Sequence, residues 1–194
     1  MTEVGKPKIL AFAGSLRTGS LNKRLIRVAA EAARAAGAEV TLIELRDYPL
    51  PPYDGDIEAN GLPAAAVALK DLFKAHAGLL ISAPEYNGGI SGTLKNTIDW
   101  ISRRGDDERS LAAFSGKFAG LMAASPGRLG AIRGLGQLRH VLTTVGVLVV
   151  PQQLGINAAA TAFDEEGRLK DPAQQAAIEA IAARLVDLIC RHAD

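Results

Sequence analysis

Cysteine is almost absent from this 194-residue sequence, which contains only Cys190. A single thiol excludes an internal disulfide and a cysteine-rich metal site. It favours a reducing compartment, so we predict a cytoplasmic protein. Histidine is nearly as scarce, and His76, His140 and His192 share no spacing typical of metal ligands. The sequence therefore predicts no metal site.

An excess charge of either sign is also missing. The 22 lysine and arginine residues are balanced by 21 aspartate and glutamate residues, which leaves a formal net charge of +1. This balance gives no electrostatic footprint for nucleic acid or for an anionic membrane surface. No apolar stretch approaches the length of a membrane-spanning helix, and the polar residues 1–8 do not resemble a signal peptide. We expect neither nucleic acid nor a membrane among the partners.

What the chain does contain is apolar material in alternating patterns. Hydrophobic residues make up 48% of the sequence, enough for a full core, and the length predicts one domain over residues 1–194. Short apolar runs predict five strands, at residues 8–13, 39–45, 78–83, 117–124 and 147–150. Pro151 is expected to stop or bend the fifth strand. Helical spacing between and after these runs predicts a helix following each strand, the last capped by Asp171. Five such units predict an open parallel sheet with helices on both faces.

In sheets of this kind ligands bind beyond the carboxyl ends of the strands, where the strand order switches. The loop after the first strand, GSLRTGSLN (14–22), offers three hydroxyls, Arg17 and the start of a helix, a combination that favours an anion. It lacks the Gly-Lys-Ser/Thr sequence of a nucleoside-triphosphate loop and the G-x-G-x-x-G of a dinucleotide fold. These features predict a phosphate monoester that is held and not transferred. The alternative is a serine-rich turn that only caps the helix.

Two further turns follow the third and fourth strands. Residues 82–92 contain Pro84, the ring of Tyr86 and a pair of glycines that would let backbone amides approach a ligand closely. Residues 125–130, SPGRLG, form a second compact turn that would close a pocket from the other side. A flavin needs donors and acceptors at its pyrimidine edge and apolar or aromatic contact on its ring faces. Taken singly, each segment also fits an ordinary turn before a helix.

Four segments together resemble one known family: GSLRTGSLN (14–22), PEYNGG (84–89), GTLKNTIDW (92–100) and SPGRLG (125–130). They are similar to the NADPH-dependent FMN reductase family, which includes chromate-, quinone- and azo-reducing members. The resemblance extends from about Lys8 to the final helix. It implies a flavodoxin-like α/β fold of strand order 2-1-3-4-5, FMN as the cofactor, and NADPH or NADH as the co-substrate.

The resemblance also implies which residues contact FMN. For the phosphate these are Ser15, Arg17, Ser20, Leu21 and Asn22. For the isoalloxazine ring they are Pro84, Glu85, Tyr86, Asn87 and Gly88. The third turn adds Ser125, Pro126 and Gly127. One departure is visible, because the family often has a glycine pair where this chain has Gly130-Ala131.

The expected activity is reduction of a small acceptor by NAD(P)H through FMN, the acceptor being a quinone, an azo compound, a metal oxyanion or free flavin. Because the redox chemistry belongs to the cofactor, no catalytic side chain is predicted. Two alternatives stay open. One is a one-electron carrier of the flavodoxin type, although such carriers are usually strongly acidic and this chain is not. The other is a flavin-binding module without turnover.

A homodimer or homotetramer is expected, since a flavin held only by edge loops would leave its ring open to water. Members of the family commonly form such assemblies. The interface is predicted on the helix at residues 93–104 and around it, because several apolar residues fall near that edge. These residues are Tyr86, Ile90, Leu94, Trp100 and Ile101.

Overall fold

The computed structural model describes residues 5–105 and 109–193. Its strands are β1 Lys8–Ala13, β2 Glu39–Ile43, β3 Gly78–Ser82, β6 Phe118–Ala124 and β7 Leu148–Ile156, and a small hairpin pairs β4 Glu85–Tyr86 with β5 Gly89–Ile90. The five longer strands form a central parallel sheet of order β2-β1-β3-β6-β7. The helices are α1 Leu21–Ala35, α2 Gly55–Glu58, α3 Ala64–Ala75, α4 Gly92–Ile101, α5 Ile132–Thr144 and α6 Pro172–Ala193. The predicted fold class and the predicted order of the five main strands are confirmed.

The sheet is buried on both faces because its central strands are apolar at every position except Lys8, which begins β1, and Ser82, which ends β3. In β1, Ile9 and Ala11 face one apolar cluster, which is completed by α1 and α6. The alternate residues Leu10 and Phe12 face a second cluster, which is completed by α3, α4 and α5. This two-sided burial explains why the strands appear in the sequence as continuous apolar runs. It also leaves the carboxyl edge of the sheet as the place where polar loops collect.

The fifth strand of the sheet continues well past the predicted stop at Pro151. Pro151 lies within β7, where the register against β6 shifts between Ala119 and Leu121. Proline has no backbone N–H to donate to a neighbouring strand. It is tolerated here because β7 is an edge strand and the ladder is irregular at this point. Arg139 from α5 donates to the Val150 carbonyl at 2.9 Å and to the Pro151 carbonyl at 3.3 Å, so the carbonyls of the irregular segment are satisfied. The last helix begins as predicted, with Asp171 accepting a hydrogen bond from the Ala173 amide at 2.9 Å.

The predicted interface on α4 is wrong for three of its five residues. Leu94, Trp100 and Ile101 are fully buried within the chain. The Trp100 indole donates to the Pro51 carbonyl at 2.8 Å, and its ring packs edge-on against that of Tyr53. The turn-rich segment before α3 therefore folds back over α4 and covers it. A glutamate at position 100 would destabilise this packing before it could affect any assembly.

Among the described residues, no helix combines the length and the hydropathy required to cross a membrane.

Candidate functional site

Three loops meet at the carboxyl edge of the sheet, after β1, β3 and β6, and they enclose one cleft. The lining residues are Ser15, Arg17, Ser20, Leu21, Asn22, Pro84, Glu85, Tyr86, Ala124, Ser125 and Pro126. All of them except Ala124, which ends β6, were predicted as contacts. The other predicted contacts, Asn87, Gly88 and Gly127, are not among the lining residues. The chain thus brings together residues that are more than 100 positions apart in sequence.

The helix start in this cleft is left open. Ser20 is the N-cap residue of α1, but its side chain makes no capping hydrogen bond. Its carbonyl accepts from the amides of Lys23 and Arg24, while no acceptor from the described part of the chain pairs with the amides of Leu21 and Asn22. The interpretation of this loop as a serine that simply caps its helix is therefore wrong. Ser20, Leu21 and Asn22 line the cleft, and a hydroxyl combined with unpaired first-turn amides is the set of donors that binds phosphate at helix N-termini.

Asn22 has a larger structural role than the sequence indicated. Its side chain is buried and joins three elements: Nδ2 donates to the Ala124 carbonyl, and Oδ1 accepts from the Ala124 amide and from the Ser82 hydroxyl, each at 2.9 Å. These bonds hold the start of α1 to the ends of β3 and β6. Because its side chain is engaged in these bonds, the group of Asn22 that remains for a ligand is the main-chain amide.

The second loop is a hairpin, which the sequence analysis missed. Asn87 and Gly88 have φ values of 52° and 81° and form the two-residue turn between β4 and β5. Asn-Gly is the pair that such turns prefer, because both central residues need positive φ. The turn itself therefore requires glycine at position 88. A branched residue there would distort the hairpin whether or not a ligand is bound.

The hairpin is clamped onto α5 by Glu85. One carboxylate oxygen accepts from Arg133 Nε at 3.0 Å and from Nη2 at 2.6 Å, and the other accepts from the Gly134 amide at 2.9 Å. Gln137 adds a hydrogen bond to the Gly88 carbonyl at 3.2 Å. Burial alone would raise the pKa of Glu85, but the bonds from Gly134 and Arg133 outweigh it and hold the pKa below its ordinary value. The carboxylate is thus a structural anchor of the hairpin.

This pKa direction predicts a pH dependence of stability. A lowered folded-state pKa means that the contribution of Glu85 is present above its unfolded pKa, about 4.3, and is lost as the pH falls through the folded value. Urea unfolding of the wild type and of Glu85→Gln should therefore show a clear difference at pH 7 that shrinks in acid. The exposed pair of Glu31 and Arg34 supplies a control, since Glu31→Gln should change stability little at either pH. A difference for Glu85→Gln that does not vary with pH would contradict this account.

The third turn depends on two residues with left-handed backbone conformation. Gly130 and Ala131 have φ values of 58° and 64°, so Ala131 adopts the conformation that a second glycine would take more easily. The departure from the glycine pair therefore costs about 1–2 kcal/mol of backbone strain and leaves the turn intact. The turn packs main chain against main chain on Gly155 at the end of β7: a Cβ at Gly155 would lie 2.3 Å from the Gly130 oxygen.

The chemistry of the donors fits a ligand with one phosphate and a flat ring. The open helix start suits the phosphate, and the hairpin and third turn offer amides and apolar edges to a ring. No group of three or more histidine, cysteine, aspartate or glutamate side chains in the described ranges is arranged to hold a metal ion. Glu85 is the one acidic residue among those that line the cleft, and its carboxylate is paired with Arg133 and Gly134.

A larger cavity of about 850 Å³ lies between α1 and α6. Its floor is formed by small residues such as Ala32 and Ala36, and its walls carry charges of both signs, among them Arg24, Glu31 and Glu179. It is on a face of the sheet and not at the carboxyl ends of the strands, so the topological rule for ligand sites does not apply to it.

Comparison with known proteins agrees with this geometry. The family model described as NADPH-dependent FMN reductase matches residues 7–161. An NAD(P)H-dependent FMN reductase of Pseudomonas aeruginosa is 37% identical over 166 residues, which cover 84% of this chain and 85% of the relative. A quinone reductase of Escherichia coli K12 is 33% identical over 153 residues, 77% of this chain and 78% of the relative.

A solved structure is similar over nearly the whole length. FerB of Paracoccus denitrificans, described as a flavoenzyme NAD(P)H:(acceptor) oxidoreductase, superimposes with a TM-score of 0.81 at 29% identity. The superposition covers 96% of this chain and 98% of FerB.

Proposed function

Because the chain belongs to the NADPH-dependent FMN reductase family, we propose that it is an NAD(P)H-dependent flavin oxidoreductase that passes electrons through FMN to small acceptors such as quinones. FMN held in this cleft would supply the redox chemistry, namely hydride acceptance from the nicotinamide and electron donation to the acceptor. The observation that carries the proposal is the uncapped first turn of α1, where the side chain of Ser20 makes no capping hydrogen bond. The acceptor class follows from the quinone reductase of Escherichia coli.

The phosphate of FMN would be held by the first loop. The hydroxyls of Ser15 and Ser20 and the amides of Leu21 and Asn22 supply neutral donors, and the exposed Arg17 supplies a charged one. These groups bind a monoester without a metal ion, since the helix dipole and the guanidinium together compensate its charge.

The ring of FMN would lie against the hairpin on one side and the third turn on the other. Pro84, Glu85 and Tyr86 line the first side, and Ser125 and Pro126 the second. Contacts from Asn87, Gly88 and Gly127 stay predictions. Main-chain amides of these loops would stabilise negative charge on a reduced ring.

Arg17 should account for much of the preference for a flavin monophosphate. Replacing Arg17 with alanine is expected to weaken FMN binding by about 1–3 kcal/mol, because a charge-assisted hydrogen bond to phosphate is lost. Fluorescence titration of the apoprotein with FMN measures the change, and FAD should bind more weakly than FMN to the wild type. Equal affinities for FAD and FMN would contradict the assignment of the FMN phosphate to the first loop.

Steady-state kinetics test the activity. Oxidation of NADPH or NADH should require both FMN and a small acceptor, and a quinone should support turnover. A one-electron carrier and a flavin-binding module without turnover would both bind FMN, but neither would oxidise a nicotinamide. Flavin binding without nicotinamide oxidation would therefore replace the enzyme with one of these alternatives.

We also propose that residues 1–194 act as one FMN-binding domain in the cytoplasm. A single sheet carries all three loops of the cleft, which leaves the site complete within one domain. The single cysteine fits a reducing compartment.

We propose that the protein is a homodimer or a larger homo-oligomer, with an interface around the cleft and not on α4. Four large apolar side chains around the three loops remain exposed: Leu16, Tyr86, Leu129 and Ile132. A second copy placed there would cover this surface and exclude water from the ring.

Leu129 provides the test, because it is the most exposed of the four at 57%. Leu129→Glu should shift the mass measured by light scattering towards that of one chain and lower turnover. Leu148 is a matched control, since it is 56% exposed but lies at the amino-terminal end of β7. A wild type that is active as a single chain would contradict the proposal.

A further inference from the structure

A second arginine contacts the phosphate loop from the segment that follows β2. Arg46 lies in the short 3₁₀ helix Leu45–Asp47 that follows β2. Its guanidinium reaches the loop after β1, where Nη2 donates to the Leu16 carbonyl at 2.5 Å and Nη1 donates to the Thr18 hydroxyl at 3.3 Å. One side chain thus holds both neighbours of Arg17.

This contact acts on the part of the loop that has little other support. Residues 16–19 are exposed, whereas Ser15 and Ser20 on either side are buried. Within the loop, the Ser15 hydroxyl accepts from the Arg17 amide at 3.3 Å. Without Arg46 the segment that carries Arg17 would lose its tie to the strand beside it.

Arg46 forms no ion pair with the acidic residues near it in sequence. Within the described ranges, Asp47, which directly follows Arg46, forms no salt bridge with it, and Glu44 is engaged by Lys23 and Arg27. Leu45, the residue before Arg46, is buried in the core. Arg46 lines a neighbouring pocket and not the cleft itself, and its guanidinium is hydrogen-bonded to the loop that would hold a phosphate.

We propose that Arg46 is a positioning residue of the phosphate subsite, which fixes the loop around Arg17 and adds a second positive charge beside a phosphate monoester. The proposal rests on the proposed function, because it assumes that FMN occupies this cleft. Its specific consequence is selectivity: Arg46 should favour FMN over riboflavin, which has the same ring but no phosphate.

The experiment titrates the full-length apoprotein with FMN and with riboflavin. Arg46→Gln should weaken FMN binding about tenfold, because the loop that carries Arg17 loses its hydrogen bonds to Arg46 and the subsite loses a positive charge, and it should leave riboflavin affinity nearly unchanged. Arg46→Lys keeps the charge and should restore part of the preference. Added salt should reduce the preference of the wild type more than that of Arg46→Gln. Arg27→Gln removes the same charge from the exposed side of α1 and should leave the preference intact.

Three outcomes would overturn the proposal. Equal weakening of FMN and riboflavin would mean that Arg46 only supports the fold of the loop. Unchanged affinities for both would mean that it contributes nothing. A rise in the KM for NADPH but not NADH, with FMN binding unchanged, would assign its charge to the nucleotide's phosphate. A wild type that does not prefer FMN to riboflavin would instead count against the proposed function itself.

Discussion

Replacing Asn22 with leucine is expected to destabilise the protein by about 3–6 kcal/mol, a large part of the stability of a typical domain. Leucine has nearly the same shape but leaves the amide and carbonyl of Ala124 and the hydroxyl of Ser82 without their partner. Each unsatisfied buried group costs about 1–3 kcal/mol. Because these groups lie at the ends of β3 and β6, the loss falls directly beneath the cleft.

Urea unfolding followed by circular dichroism measures this change. Asn60 is a suitable control, because it is exposed and its side chain makes a single hydrogen bond to the Asp56 carbonyl. Asn60→Leu should change stability by less than about 1 kcal/mol. Equal effects of the two substitutions would show that the buried brace around Asn22 is not important for stability.

Replacing Gly155 with alanine is expected to displace the third turn and to impair flavin binding. The added methyl would lie 2.3 Å from the Gly130 oxygen, so one of the two main chains must move. Neither has room to yield easily, since Gly130 is held in a left-handed conformation and Gly155 belongs to β7. Overpacking of this kind costs about 1–3 kcal/mol. Because Ser125 and Pro126 line the cleft, FMN affinity should fall by about tenfold as well.

Gly136 provides the matched glycine. It lies within α5, and a Cβ there would meet no atom within 4 Å. Gly136→Ala should stabilise the protein by about 0.5–1 kcal/mol, because alanine favours the helix, and leave FMN binding unchanged. If Gly155→Ala binds FMN like the wild type, the close approach of β7 does not position the third turn.

Much of the architecture could be predicted because local hydrophobic patterns in the sequence indicate its strands and helices. The runs that became β1, β3 and β6 are apolar at successive positions, as strands buried on both faces must be. Once the parallel sheet was inferred, topology alone placed the loops after these strands at one edge. This is why residues as distant as Ser15, Pro84 and Ser125 were assigned to one site and do line one cleft.

The parts that could not be predicted depend on contacts between distant side chains and main chains. Nothing near Glu85 in sequence indicates that Arg133 and Gly134 will hold its carboxylate. Likewise, the burial of Trp100 depends on Pro51 and Tyr53 folding back over α4, so an apolar pattern on that helix was mistaken for an interface.

One signal in the sequence was available and was overlooked. Asn87-Gly88 is a strong local indication of a two-residue hairpin turn, and the structure contains that hairpin. The glycines were interpreted as permitting close approach to a ligand, although the backbone conformation alone requires Gly88.

The most direct test of the account is a single turnover in the absence of oxygen. FMN-loaded protein is mixed first with NADPH or NADH and then with a quinone, while the visible absorbance of the flavin is followed. The nicotinamide is expected to bleach this absorbance rapidly only when the protein is present, and the quinone is then expected to restore it. Flavin absorbance that neither nicotinamide changes would contradict the claim that this chain is an NAD(P)H-dependent flavin oxidoreductase.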